Sequence, residues 1–234
     1  MKHTMIIAAL AATMTASAQL HISTPTTSLL LNAEPGERFE YMYYGAALAD
    51  TDIPAVAEAE KHVDAYPVYG MDTFNAYTLA ATHADGSMAT DMRVDKVSES
   101  TDKDGSKVTR VSLKDTLYPF YIDVCYRTWP ACDVIETWTE IRHNENKAVT
   151  LTEFPSAYLP VRRGNVWLSH IDGAWGNEGH LTHEPLTPGI KTIRNIDGAR
   201  NSQNAHSEIM LSLDGKPQER TGRTIGAVLC YSGN

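Results

Sequence analysis

Residues 169–189, SHIDGAWGNEGHLTHEPLTPG, hold the densest collection of chemically capable side chains in the sequence. One tryptophan, Trp175, lies between Gly173 and Gly176, and His170, Asp172, Glu178, His180, His183 and Glu184 surround it in sequence. Glycines on both sides let the backbone bend and bring an indole to a surface, and a flat indole face stacks on the C–H groups of a sugar ring. The same pattern also fits a core tryptophan in a glycine-rich turn. The histidines and carboxylates resemble metal ligands on paper. No pair has the HExxH spacing, however, and in an extended chain His180 and His183 point to opposite faces. No metal site and no cofactor are therefore assigned.

A chain of 234 residues, 42% hydrophobic and 21% charged, has the composition of an ordinary globular protein. Its net charge of −9 argues against a nucleic-acid partner, which requires a clustered basic face. The only adjacent basic pair is Arg162-Arg163. The N-terminus MKHTMIIAALAATMTASAQ combines a basic Lys2, a short apolar run from Met5 to Met14, and small residues Ala16 and Ala18 before a signal-peptidase site. The expectation is a signal peptide over residues 1–18 and a secreted or periplasmic mature chain. The apolar run is too short to span a bilayer, and no later segment is long and apolar enough to do so. Three cysteines, Cys125, Cys132 and Cys230, form no complete disulfide framework and are expected to be small core residues.

The elements that must position Trp175 read as strands. Residues 28–31 form a short apolar run that ends at the turn signal Glu34-Pro35-Gly36. Residues 38–44 alternate, with Phe39, Tyr41 and Tyr43 on one side and Glu40 and Met42 on the other. Residues 50–62 change character and predict a long loop with a short helix starting near Pro54. Further strands are predicted over 88–94, 107–115, 134–143, 149–158, 166–170, 190–196, 208–213 and 224–231, with tight turns at Ala84-Asp85-Gly86 and Asp102-Lys103-Asp104-Gly105. Phe120, Ile122, Val124 and Tyr126 share one face of a long strand. More than ten strands with turn signals between them predict an all-β chain, a large antiparallel β-sandwich. With no repeat and no linker, residues 19–234 read as one domain.

Four patches together resemble the N-terminal β-domain of secreted bacterial α-galactosidases of glycoside hydrolase family 36. They are Tyr66-Pro67-Val68-Tyr69-Gly70; His83-Ala84-Asp85-Gly86-Ser87 with Thr90-Asp91-Met92-Arg93; Asp133-Val134-Ile135-Glu136 with Trp138; and Gly173-Ala174-Trp175-Gly176 followed by Leu186-Thr187-Pro188-Gly189. Tyr231-Ser232-Gly233-Asn234 looks like the strand that closes that domain, and the match runs in order from about His21 to the last residue. The resemblance implies a supersandwich of the galactose mutarotase-like type, placed before a (β/α)8 catalytic barrel. Family members remove terminal α-galactose from melibiose, raffinose and related oligosaccharides with retention of configuration. Their two catalytic carboxylates are Asp residues on the barrel, which this chain is expected to lack, leaving it inactive alone. The β-domain packs on the barrel, takes part in oligomer contacts and lends side chains to the galactose subsite.

The resemblance implies sugar-binding roles for Trp175 and for an Asp of the loop after the early Tyr-rich strand, Asp52 first and Asp50 second. The alternative for such an Asp is a helix N-cap ahead of Pro54. Where the family often shows Asp-Phe-Arg-x-Pro, this chain has Asp72-Thr73-Phe74-Asn75-Ala76-Tyr77, so Asp72 receives no role. Two other classes of function stay open: a freestanding carbohydrate-binding sandwich built on Trp175, or a mutarotase- or lyase-like enzyme using His170, His180 or His183 as acid or base.

Overall fold

A computed structural model describes residues 19–60, 62–72, 76–162, 164–194 and 204–230. The expected signal peptide therefore lies outside the described residues, as do Arg163 and the closing Tyr231-Ser232-Gly233-Asn234. The chain divides at Pro160/Val161 into two compact units.

In the first unit the strands are β1 (Gln19–Ser23), β2 (Thr27–Asn32) and β3 (Glu40–Ala46), followed by helix α1 (Ile53–Ala59). Then come β4 (Val63–Asp64), β5 (Ala80–Thr82), β6 (Met92–Thr101), β7 (Lys107–Asp115), β8 (Phe120–Thr128), β9 (Ile135–His143) and β10 (Thr150–Glu153). They form antiparallel sheets in the orders β1-β2-β3-β4, β6-β7-β8-β9 and β10-β5. The alternating face of β8 carries Phe120, Ile122, Val124 and Tyr126 into the main core, together with Leu29, Leu31, Val111 and Leu113. Burying these side chains, at about 1.5–3 kcal/mol each, is what holds the layers together.

Strand β3 departs from simple alternation. Leu30 lies opposite Tyr43 and Leu31 opposite Tyr41, so Met42 is one extra residue, a β-bulge. Before the bulge Tyr41 packs on the main core; after it Tyr44 does so, while Tyr43 turns to the other side. Leu30 and Met42 meet Ala57 of α1 there, with Ile53 and Val56 packed around them. The predicted grouping of Phe39, Tyr41 and Tyr43 on one face is thus corrected at the bulge.

The second unit is one antiparallel sheet, order β12-β11-β13-β14, of β11 (Trp167–Ala174), β12 (Asn177–Pro185), β13 (Ala205–Ser212) and β14 (Thr224–Val228). Strand β12 was not expected from the sequence. The segment 190–194, predicted as the start of a strand, is irregular, with Ile190 98% exposed.

The face of β7–β9 opposite the core is roofed by long side chains. Arg110 binds both oxygens of Glu140 at 2.7 and 2.8 Å and reaches Asp123 at 3.0 Å. Arg142 meets the same Asp123 at 2.6 Å, and Arg127 lies over Trp138 at 5.2 Å. The Arg110 hydrogen bonds, with that from Trp138, hold the Glu140 carboxyl down to about 2. Beneath this roof Cys125 is fully buried, and burial pushes its thiol up to about 11. Cys132 and Cys230 are exposed, so the expectation of three core cysteines holds only for Cys125. The thiolate is the nucleophile. Iodoacetamide on the native protein at neutral pH should therefore label Cys132 and Cys230 and spare Cys125, as read by peptide mass mapping. Equal labelling of Cys125 would show that the roof opens.

Candidate functional site

Trp175 stands at the tip of the β11–β12 hairpin. Ala174 pairs with Asn177, which leaves Trp175 and Gly176 as the two-residue connection. Gly176 has φ +72°, a left-handed conformation that glycine adopts without steric cost. Gly173 sits at a register shift between Asp172 and Ala174, where a Cβ would come within 2.8 Å of the Glu178 Cα. The hairpin arms can close this tightly only because that side chain is absent. The Gly173 N–H donates to the Asn204 carbonyl at 3.0 Å, and the Gly176 N–H donates to the Glu178 carboxylate at 3.1 Å. The turn is thus tied to Asn204 and to the Glu178 side chain, and Trp175, which it carries, is 84% exposed. An indole left in water by a rigid turn has the geometry of a stacking platform, and the core alternative is not what the chain adopts.

The other polar residues of this stretch pair off along the strands. Ser169 Oγ and His183 Nδ1 are 2.7 Å apart, and His170 Nε2 lies 3.1 Å from Glu184 Oε1. Glu184 also receives Lys191 at 2.8 Å, and these hydrogen bonds hold its carboxyl below the usual carboxylate range. His180 lies opposite Asp172 and His183 opposite Ser169, on opposite faces of β12. Among the described residues no three His, Cys, Asp or Glu side chains form a metal-binding group.

Asp50 and Asp52 occupy the loop before α1 in the first unit. Two hydrogen bonds to β2 and its turn tether that loop: Ala47 N–H to the Thr26 carbonyl at 2.8 Å and Leu48 N–H to Ser28 Oγ at 2.9 Å. The Asp50 side chain is 96% exposed, 3.8 Å from His21 Nδ1. Asp52 holds the N-cap position, yet its carboxylate makes no capping hydrogen bond; it accepts only a long 3.4 Å contact from Thr51 Oγ1. The capping alternative for Asp52 is therefore not realised. Both carboxylates face solvent, where they can accept hydrogen bonds from hydroxyl groups. Trp175 belongs to the second unit and the two Asp to the first.

Two of the other resemblance patches make internal packing contacts. Gly70, at φ +101°, lets the chain pass so close to 89–90 that a Cβ would stand 2.5 Å from the Thr90 nitrogen. His83 is buried between Glu145, 2.8 Å from Nδ1, and Thr90, 3.0 Å from Nε2, with its ring stacked on Tyr118 at 3.8 Å. Tyr118 in turn donates to Asp85 at 2.9 Å. One feature with binding potential, a pocket walled by Trp129, had no signal beyond a Trp-Pro pair that reads as a turn.

The family model described as the glycosyl hydrolase family 36 N-terminal domain matches residues 37–234. The chain belongs to this family. Among relatives of this family 36 domain, α-galactosidase Mel36A of Lactobacillus acidophilus is 22% identical over 249 residues, covering 92% of this chain and 34% of the relative. α-Galactosidase 2 of Pediococcus pentosaceus is 25% identical over 124 residues, 53% of this chain and 17% of the relative. In structure the domain resembles the family 36 α-galactosidase AgaB of Geobacillus stearothermophilus, with TM-score 0.80, 18% identity, and coverage of 95% of this chain and 34% of that one. An AgaA variant of the same organism, crystallised with raffinose, gives TM-score 0.79 at 19% identity, with 92% and 34% covered. These likenesses carry the fold: nearly all-β and antiparallel. The chain spans at most about a third of the length of these relatives.

Proposed function

We propose that this family 36 domain is the noncatalytic N-terminal part of a retaining α-galactosidase that acts on terminal α-galactosyl residues of melibiose- and raffinose-type oligosaccharides. The observation that carries the reading is the side chain of Trp175, left in solvent at the tip of the β11–β12 hairpin. In the intact enzyme Trp175 stacks on the galactose ring, and Asp52, with Asp50 as second choice, accepts hydrogen bonds from its hydroxyls. The two carboxyl groups required for retention, roughly 5–5.5 Å apart, belong to a (β/α)8 barrel beyond this chain. In this reading the domain, residues 19–234, packs on that barrel and contributes to a homo-oligomer. Residues 1–18 direct export to the periplasm or the medium.

The test is hydrolysis of p-nitrophenyl α-galactoside. The 234-residue chain alone is expected to give no turnover, whereas a form extended through the barrel does. Clear turnover by the purified short chain would overturn the noncatalytic assignment. In the extended form Trp175→Ala should raise KM about tenfold, as expected for loss of one stacking contact with its buried area. An unchanged KM would remove Trp175 from the subsite.

A further inference from the structure

In the first unit three turns border an open groove of about 330 Å³, lined by Ser23, Thr24, Lys107, Thr128, Trp129 and Pro130 among others. That volume lies at the lower end of the ~300–1,000 Å³ typical of small-molecule sites. We propose that this pocket is a second saccharide site, binding one neutral pyranose unit against Trp129, apart from any contact made by Trp175.

The pocket is pre-formed. The Thr24 N–H donates to the Thr27 carbonyl at 2.9 Å, and the Thr27 N–H returns to Thr24 Oγ1 at 3.0 Å, closing the β1–β2 turn. Thr24 Oγ1 also donates to Asp133, which ties that turn to the β8–β9 loop. The β6–β7 turn is closed by Gly105 N–H to the Asp102 carbonyl and by both Ser106 donors on Asp104. Pro130 restricts Trp129 to an extended backbone as β8 ends. Hydrogen bonds from Ser106, and further from the Trp129 indole, hold the Asp104 carboxyl below its usual range.

The lining chemistry selects the ligand class. An indole and the hydroxyls of Ser23 and Thr128 suit a ring with apolar C–H faces and a polar rim. The one cation, Lys107, is already matched by Glu99 at 2.8 Å. Asp104 and Asp133 add negative charge nearby, which disfavours phosphate or a uronic acid. A neutral sugar remains.

The experiment is an amide chemical-shift titration of the 234-residue protein with galactose, melibiose, raffinose and glucuronate. Saturable shifts are expected at Thr24, Gly105 and the Trp129 indole N–H, with Kd of order millimolar for neutral sugars and weaker for glucuronate. Trp129→Ala should weaken binding at least tenfold, Trp129→Phe less, and Trp175→Ala should leave these shifts as they are. Shifts that never saturate, that fall only elsewhere, or that favour glucuronate would overturn the proposal. So would undiminished binding in Trp129→Ala. Because the mapping uses the unmutated protein, a variant that fails to fold does not blunt it. Failure at Trp175 would leave this result intact, and the reverse holds as well.

Discussion

Exchanging Glu145 for Ala is expected to lower the unfolding free energy of the first unit by about 2–6 kcal/mol, since two donors, one of them fully buried, lose their acceptor at ~1–3 kcal/mol each. Glu145 accepts from His83 Nδ1 at 2.8 Å and from the Ala84 N–H at 2.8 Å, and the side chains of Glu145 and His83 are nearly or fully buried. An ionised carboxylate can only accept, so the proton of His83 resides on Nδ1. Nε2 then faces Thr90 Oγ1 at 3.0 Å, which fixes the ring at both ends. The imidazole lies between the stacked Tyr118 and the edge-on Phe120, so it cannot turn away to find water. Urea denaturation measures the loss, and a change under about 1 kcal/mol would show that the clasp adds nothing.

The same clasp sets a dependence on pH. Burial, the largest single influence on Glu145, raises its pKa, but the Ala84 hydrogen bond and then the His83 hydrogen bond outweigh it, and the carboxyl sits below its usual range. A group with a depressed folded pKa contributes stability that is present above its unfolded value of about 4.3 and is lost as the pH falls through the folded one. Acid unfolding of the wild type should therefore steepen below about pH 4. Glu145→Gln, which keeps an acceptor but not the charge, should flatten that limb.

Gly70→Ala is expected to cost about 2–5 kcal/mol, from ~1–2 for an L-residue in left-handed backbone and ~1–3 for overpacking. The added Cβ would stand 2.5 Å from the Thr90 nitrogen and 2.8 Å from the Ala89 Cα, both main-chain atoms that no rotamer can move aside. Relief requires the 89–90 segment to retreat, and Thr90 is the partner of His83. The melting temperature should fall by roughly 5–15 °C. An unchanged melting temperature would mean that the approach at Gly70 is looser than described. Gly86 offers a control: its φ is +89°, yet nothing lies within 4 Å of a Cβ there. Alanine at that position should cost only the backbone term.

Much of the first unit was legible because its strands bury one face. The bounds of β7 match the predicted 107–115, and the inward set Phe120, Ile122, Val124 and Tyr126 follows the period of two. Helix α1 begins where Pro54 allows, with proline in its first turn. Strand β12 was illegible for the opposite reason. It is an edge strand, largely exposed, and its sequence NEGHLTHEP holds one large apolar residue, Leu181, which is itself exposed. Without a buried face there is no alternation to read, and Gly179 and Pro185 mimic a loop. The predicted strand at 149–158 shortens to Thr150–Glu153, where pairing with β5 ends. At the candidate site, the glycines around Trp175 fit a core tryptophan as well as an exposed one, and it is the hairpin geometry that leaves the side chain in solvent. The choice between Asp50 and Asp52 depends on how a loop is anchored, which no residue pattern reports.

The extra residue at Met42 gives the loop that follows a separate footing. Ahead of it, the side chains of β3 key the strand into the interior shared with β8; at and after it, Met42 and Tyr43 make a shelf with Leu30 on which α1 rests. The acidic loop is slung between two moorings, the β1–β2 turn and that shelf, and neither depends on the residues Ala49 to Asp52 themselves. Lengthening or shortening this span by a residue would shift where its carboxylates point while the interior stays as it is.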